Sequence, residues 1–341
     1  MRISRRRFCG AAAASAAMAA PVFGGGRADA TEQARLAEGA AVEHLDARFT
    51  AIGPKNGAVV QQLATGFRFL EGPVWLAAEQ SLLFSHIPRN EILRWSGVTG
   101  EVSVFRSPSG HANGLTLDRE GRLLACEHSG RRVSRTEPDG TITTIAAEIG
   151  GKRLNSPNDL AVHPDGGIWF TDPDYGISSD FAGRKAVSEV PRRVYRWDPA
   201  TGGIAVVADE PVYPNGIAFS PDYKTLYLTD SKQPPEPILA YDVVGNSRLA
   251  RPRRLFDKAV AVTDGICVDR QGNIWASAGW TEPENYGVHV YSPDGEILGK
   301  IKLPDVCTNV CFGGRFQNRL FMTARRSLFA LDVKSAGAPL P

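Results

Sequence analysis

Six side chains that could donate oxygen recur at one phase of this chain: Glu71, Asn113, Asn158, Asn215, Asp264 and Asn309. Two are carboxylates and four are amides. A single Asn-Gly pair is an ordinary turn signal. Glu71 is not a turn former, yet it sits between Leu70 and Gly72 at the equivalent place. The set therefore reads as a ring of convergent oxygens. Such a ring suits one hard dication, calcium first and magnesium or manganese next. Zinc comes last, because it favours His and Cys, which these positions lack. Two carboxylates balance a dication's charge, and amide carbonyls complete its shell.

The ring needs a scaffold that presents one residue per repeat, and the chain supplies it. Each polar residue opens a short apolar run, then a Pro/Asp/Gly turn and a second run. Asn113-Gly114-Leu115-Thr116-Leu117-Asp118 leads to Gly121-Arg122-Leu123-Leu124-Ala125, and Asn215-Gly216-Ile217-Ala218-Phe219 leads to Thr225-Leu226-Tyr227-Leu228-Thr229. Six copies open at positions 72, 113, 158, 215, 264 and 309. Each continues into two further strand-like runs, such as Val288-His289-Val290-Tyr291 and Glu296-Ile297-Leu298-Gly299-Lys300-Ile301. Four short strands at this period predict an all-β, six-bladed β-propeller in a single domain. The run from Ala58 to Leu63 is expected to supply the outer strand of the last blade, closing the ring and hiding its edges. Ala30 to Leu45 could form a short helix, and no helical stretch is expected after it.

The chain ends and composition narrow the class. Ser4-Arg5-Arg6-Arg7-Phe8, the Ala-rich stretch to Pro21 and the Ala28-Asp29-Ala30 site have the order of a twin-arginine export signal. The domain reading is a signal over 1–30, an N-terminal extension over 31–56 and the propeller over 57–341. The expected partner is the twin-arginine export machinery, and the expected location is the periplasm or beyond. Lys and Arg number 39 against 37 Asp and Glu, which argues against a nucleic-acid partner. No apolar run is long enough for a membrane span in the mature protein. Cys9 leaves with the signal, and Cys126, Cys267, Cys307 and Cys311 read as small buried core thiols.

The phrases Glu71-Gly72-Pro73-Val74-Trp75, Arg153-Leu154-Asn155-Ser156-Pro157-Asn158-Asp159, Trp169-Phe170-Thr171-Asp172-Pro173, Pro214-Asn215-Gly216-Ile217, Thr263-Asp264-Gly265 and Thr308-Asn309 carry a resemblance over essentially the whole mature chain. The sequence resembles the senescence marker protein/gluconolactonase/luciferin-regenerating enzyme family. That resemblance implies a divalent-metal-dependent hydrolase acting on a lactone or related ester. It implies Glu71, Asn215 and Asp264 as metal ligands, with Asn158 either a fourth ligand or a substrate contact. It also implies Asp264 as the general base. The chemistry is coherent: a dication polarises the carbonyl, and a carboxylate at its edge takes the proton of attacking water. No Gly-x-Ser-x-Gly elbow offers a serine nucleophile. Ser156 stands where mammalian members carry arginine, and Arg153 is close enough in sequence to substitute.

Asn113, Arg153, His111, His128 and Trp280 are the candidate substrate contacts. His111 and His128 could act as proton shuttles or as hydrogen-bonded structural residues. His86 is expected on the surface or rim. His163 and His289 read as structural, and Asp172 and Asp230 as hydrogen-bond anchors at strand ends. The insertion from Ile177 to Val190 could overhang the channel mouth. Two other readings compete: a phosphotriesterase-like hydrolase, and a non-enzymatic binding propeller with a structural calcium.

Overall fold

Strand-length runs rich in Val, Ile, Leu and Tyr, punctuated by Asp/Gly turns, pair antiparallel into six sheets arranged as the blades of a β-propeller. The computed structural model describes residues 35–232 and 234–339. The signal segment therefore lies outside the described residues. The inner strands of blades 1 to 6 are Leu70–Leu76, Ala112–Leu117, Leu160–Val162, Pro214–Phe219, Val262–Val268 and Cys307–Gly313. Each is followed by its hairpin partner and further strands outward.

Closure follows the sequence expectation, shifted by a few residues. Gln61–Thr65 pairs with Ser327–Asp332 as an outer strand of blade 6, with Thr65 opposite Ser327. The expected helix over residues 30–45 does not form in its described part. Arg35–Leu36 instead adds a fifth strand to blade 6, and Ala41–His44 adds one to blade 5. An unpaired sheet edge supplies hydrogen-bond partners that outweigh the helix preference of alanine. Short helices do occur later, at Phe49–Ile52 and Tyr175–Ser178. The first buries Phe49 against Trp275, which stitches the N-terminal segment onto blade 5.

The core lies between the blades. Fully buried Trp169 packs with Ile217, Phe219, Leu226 and Leu228 between blades 3 and 4, and Phe321 fills the gap between blades 6 and 1 with Leu82, Phe84 and Trp95. Burial of one such large side chain contributes roughly 1.5–3 kcal/mol. Asp172 and Asp230 act as anchors. Asp172 accepts the Asn155 and Ser156 N–H groups, both at 2.8 Å, and Asp230 accepts those of Val212 and Tyr213, both at 2.8 Å. His163 and His289 are buried within the blades. The four cysteines of the described residues are free; Cys126 and Cys307 are buried, whereas Cys267 and Cys311 retain some exposure toward the channel. Among the described residues, no helix is long and apolar enough to cross a membrane.

Candidate active site

The polar residue of each repeat enters the channel because its strand is irregular there. Pairing slips between Glu71 and Val74, Ala112 and Leu115, Pro214 and Ile217, Thr263 and Ile266, and Cys307 and Asn309. A bulge re-aims the side chains around it. Blade 3 reaches the same end by starting its strand later; Asn158 N–H still donates to Thr171 O at 2.9 Å.

Hydroxyls then lock each ring backbone to the preceding blade. Ser85 Oγ donates to Asn113 O at 2.7 Å, Thr171 Oγ1 to Asn215 O at 2.8 Å, Thr229 Oγ1 to Asp264 O at 2.8 Å, and Ser277 Oγ to Thr308 O at 2.9 Å. Thr308 Oγ1 closes the circle on Leu70 O at 2.7 Å. Blade 2 has Cys126 at this place, and Gly114 N–H reaches Asn158 O at 2.8 Å instead. With the carbonyls committed between blades, the side chains face the channel.

The residue after each ring position is Gly72, Gly114, Gly216 or Gly265 in four blades. Neighbouring blades approach so closely that a Cβ at Gly216 would collide with Asp264 O, and one at Gly265 with the Asn309 amide. The Asn-Gly and Asp-Gly pairs thus serve close packing of inner strands as well as turn chemistry. Blade 3 departs from this pattern with Asp159, a buried acid outside the six ring positions. Its position in the glycine phase was the available signal.

Glu71, Asp159 and Asp264 are all buried, the charge of Glu71 bears on both aspartates, and none of the three forms an ion pair among the described residues. Burial pushes the Glu71 carboxyl up to about 7, against hydrogen bonds from Gly72 N–H and Asn309. Burial, then the charge of Glu71, pushes Asp159 up to about 8. Burial, then the charges of Glu71 and Asp159, raises Asp264, while the neighbouring Asn215 and Trp280 side chains oppose the shift. Glu71 Oε2 accepts from Gly72 N–H at 2.9 Å and Asn309 Nδ2 at 3.0 Å, which leaves Oε1 for another ligand. Asn309 Oδ1 is taken by Val310 N–H at 2.8 Å, so this amide braces Glu71 from the side. Three buried acids with no basic partner are costly unless protonated or neutralised by a cation. Carboxylate and amide oxygens fit a hard dication. Among the described residues, no group of three or more His, Cys, Asp or Glu side chains is placed to hold a metal ion by itself, so a cation here would have to draw on the ring amides as well.

The remaining candidates are placed differently. Asn113 is buried in the ring, with its amide nitrogen 3.1 Å from His128 Nε2. His128 is buried, and burial lowers its pKa to about 4. His111 pairs its Nδ1 with Ser129 Oγ at 2.8 Å, beside the ring. Arg153 is exposed and turned away, reaching Gly130 O at 3.2 Å. Arg131 does the buried anchoring nearby, donating to Leu154 O at 2.7 Å and pairing with Glu189 at 3.1 Å. His86, expected on the surface or rim, is buried against Phe67 and accepts Arg68 N–H at 3.2 Å. The apolar edge of Phe67 covers it.

Trp280 is a partly exposed residue with φ of 60°, a conformation rare for a bulky side chain. It stacks on Phe69 at 6.0 Å and lies under the Arg325 guanidinium at 5.8 Å. The insertion after the third blade's second strand does overhang this end. Its Phe181 meets Phe69 edge-on at 6.2 Å, and Ala182 O faces His128. Tyr175 at its start stacks on Tyr213 at 5.7 Å, and Arg192 caps that ring at 4.0 Å. On the other side of the ring, a channel of about 460 Å³ runs down past Val74, Ile217 and Val310 to the C-terminal residues.

Comparison with known proteins agrees with this architecture. Residues 69–326 match the model of the SMP-30/Gluconolactonase/LRE-like region. The chain is 30% identical to the gluconolactonase of Zymomonas mobilis, covering 85% of this chain and 87% of that protein. It is 30% identical to a pentonolactonase of Haloferax volcanii, covering 82% and 96%. A solved gluconolactonase from Xanthomonas campestris superposes with a TM-score of 0.81 at 33% identity, covering 89% of this chain and 99% of that one. The chain belongs to the SMP-30/gluconolactonase/LRE-like family.

Proposed function

We propose that this protein hydrolyses a sugar lactone with the help of one divalent cation, and that Asp264 is its general base. The burial of Glu71, Asp159 and Asp264 without a positive partner is the observation that carries the reading. Similarity to the gluconolactonase and pentonolactonase above supports the substrate class. Glu71, Asn158, Asn215 and Asp264 would hold the cation, calcium first and then magnesium, manganese or zinc. When bound, it supplies positive charge that polarises the lactone carbonyl and steadies the developing oxyanion.

The chain's own groups do the rest. The Asn215 and Trp280 side chains beside Asp264 favour its charged form. Asp264 takes a proton from water as the water oxygen bonds to the acyl carbon. The acyl carbon–ring oxygen bond then breaks, and the proton returns to the departing ring oxygen. The product is the open hydroxy acid. The aromatic rim of Phe69, Phe181 and Trp280 limits water access from the mouth.

We also propose, from the sequence of residues 1–30, that the mature protein is exported by the twin-arginine route, which a reporter fused to those residues would test. The deciding experiment strips metal from the mature protein and follows acid release from glucono-1,5-lactone. Calcium, magnesium, manganese and zinc are added back separately. Turnover restored by one of them and abolished in Asp264→Asn is the expected result; no turnover with any cation refutes the proposal.

A further inference from the structure

His128 faces two fixed partners. Its Nδ1 lies 2.8 Å from the backbone carbonyl of Ala182, 54 residues away on the insertion. Its Nε2 lies 3.1 Å from Asn113 Nδ2. A carbonyl only accepts, so Nδ1 must carry the proton. The ring is buried, with the His111 imidazole the nearby titratable group that further disfavours its charge, so it is neutral and Nε2 is an acceptor. Asn113 must then donate its N–H to His128. The alternative amide orientation would set a carbonyl oxygen against an imidazole lone pair.

One consequence is chemical. With its NH₂ held outward by His128, Asn113 presents Oδ1 to the channel. Among the described residues no protein donor reaches this oxygen. It is a hydrogen-bond acceptor in the blade next to Glu71, available to a donor on a ligand. A hydroxyl on a lactone ring is such a donor; a phosphotriester or an unsubstituted lactone has none.

The clamp is tightly packed. A Cβ at Gly176, at the base of the insertion, would collide with His128 itself, so the imidazole has no room to turn. Ala182 and its neighbour Phe181 touch opposite sides of the mouth: Ala182 reaches the ring through His128, and Phe181 packs on Phe69, which stacks on Trp280.

Resting on the lactone reading, we infer that His128 is a positioning residue, clamped by the Ala182 carbonyl, which fixes Asn113 as the acceptor for a substrate hydroxyl. The site thereby selects hydroxylated lactones over unsubstituted ones. His128 is neither the base nor a proton shuttle in this arrangement.

Two measurements test this. The first is ¹⁵N-histidine NMR of the mature protein, with the His128 signals assigned by their loss in His128→Gln. Nδ1 protonated and Nε2 unprotonated from about pH 5 to 8 is expected; an Nε2–H tautomer or an imidazolium at neutral pH overturns the clamp. The second compares wild type, His128→Leu and His128→Gln on glucono-1,5-lactone and δ-valerolactone. His128→Leu is expected to lower kcat/KM for the hydroxylated lactone about tenfold to hundredfold, mostly through KM, with δ-valerolactone changed by less than about threefold. Gln offers both a donor and an acceptor and is expected to restore part of the loss. Wild-type turnover confined to the hydroxylated lactone supports the inference equally. Equal losses on both lactones, or none, overturn it. If the wild type hydrolyses neither lactone, the lactone reading falls and takes the substrate half of this inference with it, while the NMR result still decides the clamp.

Discussion

Replacing Thr229 by valine removes one oxygen and keeps the shape. Thr229 is fully buried, and its hydroxyl has two obligations: it accepts Gly216 N–H at 2.7 Å and donates to Asp264 O at 2.8 Å. Valine leaves a buried N–H and a buried carbonyl without that partner. Each such orphan costs about 1–3 kcal/mol, partly offset by the added methyl, so the net loss is about 2–4 kcal/mol. For a chain of this size that is a Tm lower by about 3–6 °C. Thr136→Val is the matched control, because the Thr136 hydroxyl is buried without a partner. Removing it should leave Tm unchanged or raise it slightly. Scanning calorimetry of both variants against wild type is the assay. A Thr229→Val protein within about 1 °C of wild type, or equal losses in the two variants, would refute the idea that inter-blade hydroxyls fasten the ring.

Glu71→Gln removes charge but not shape and should weaken divalent-cation binding at least tenfold by calorimetry, because the remaining donors carry only one certain ring carboxylate, Asp264. Gly265→Ala forces a Cβ into the Asn309 amide, so it should cost more than about 2 kcal/mol and weaken cation binding as well, since Asn309 braces Glu71 at 3.0 Å. The metal-free protein should lose stability as pH rises. Glu71 and Asp159, raised to about 7 and 8, favour the folded state below their unfolded values, and that contribution disappears as pH climbs through the folded values. Tm followed from about pH 5 to 8 should therefore fall without metal and hold steady with saturating calcium; a metal-free Tm that rises over this window would contradict the assignment of unpaired buried acids.

The fold was legible because blades repeat. Six polar openings at one phase, each followed by two turn-bounded apolar runs, leave few architectures that could accommodate them, and even the closing strand near Ala58–Leu63 could be placed. Residues 35–44 could not be read the same way. Their strand state depends on sheet edges supplied by residues about 25 to 260 positions away, which local propensity does not encode. The site was legible in its types and not in its directions. Glu71, Asn215 and Asp264 stand out as ring members, but whether a neighbouring side chain points inward depends on the bulge beside it. Asp159 was thus passed over, although it replaces glycine in that blade. His128 was noticed for its chemistry, while its role depends on a main-chain carbonyl contributed by a distant insertion. Arg153 looked suitable in sequence, and the short hairpin that carries it turns it toward Gly130 instead.

The shared sheet of blade 6 has a consequence for the order of assembly. Its outer strand comes from residues 61–65 and the strand it pairs with from residues 327–332, so the Thr65–Ser327 contact spans 262 positions. Bringing such distant segments together has an entropic cost on the order of 5 kcal/mol, and topologies rich in distant pairings fold slowly. On a ribosome, blades 1 to 5 can form behind the emerging chain, but blade 6 must wait for the final residues. Until then the nascent protein is an open arc with a bare strand edge at each end. Those two edges match each other in register, and so they also match the edges of a second unfinished copy. Early termination near the C-terminus should therefore yield strand-exchanged aggregates rather than an inert fragment.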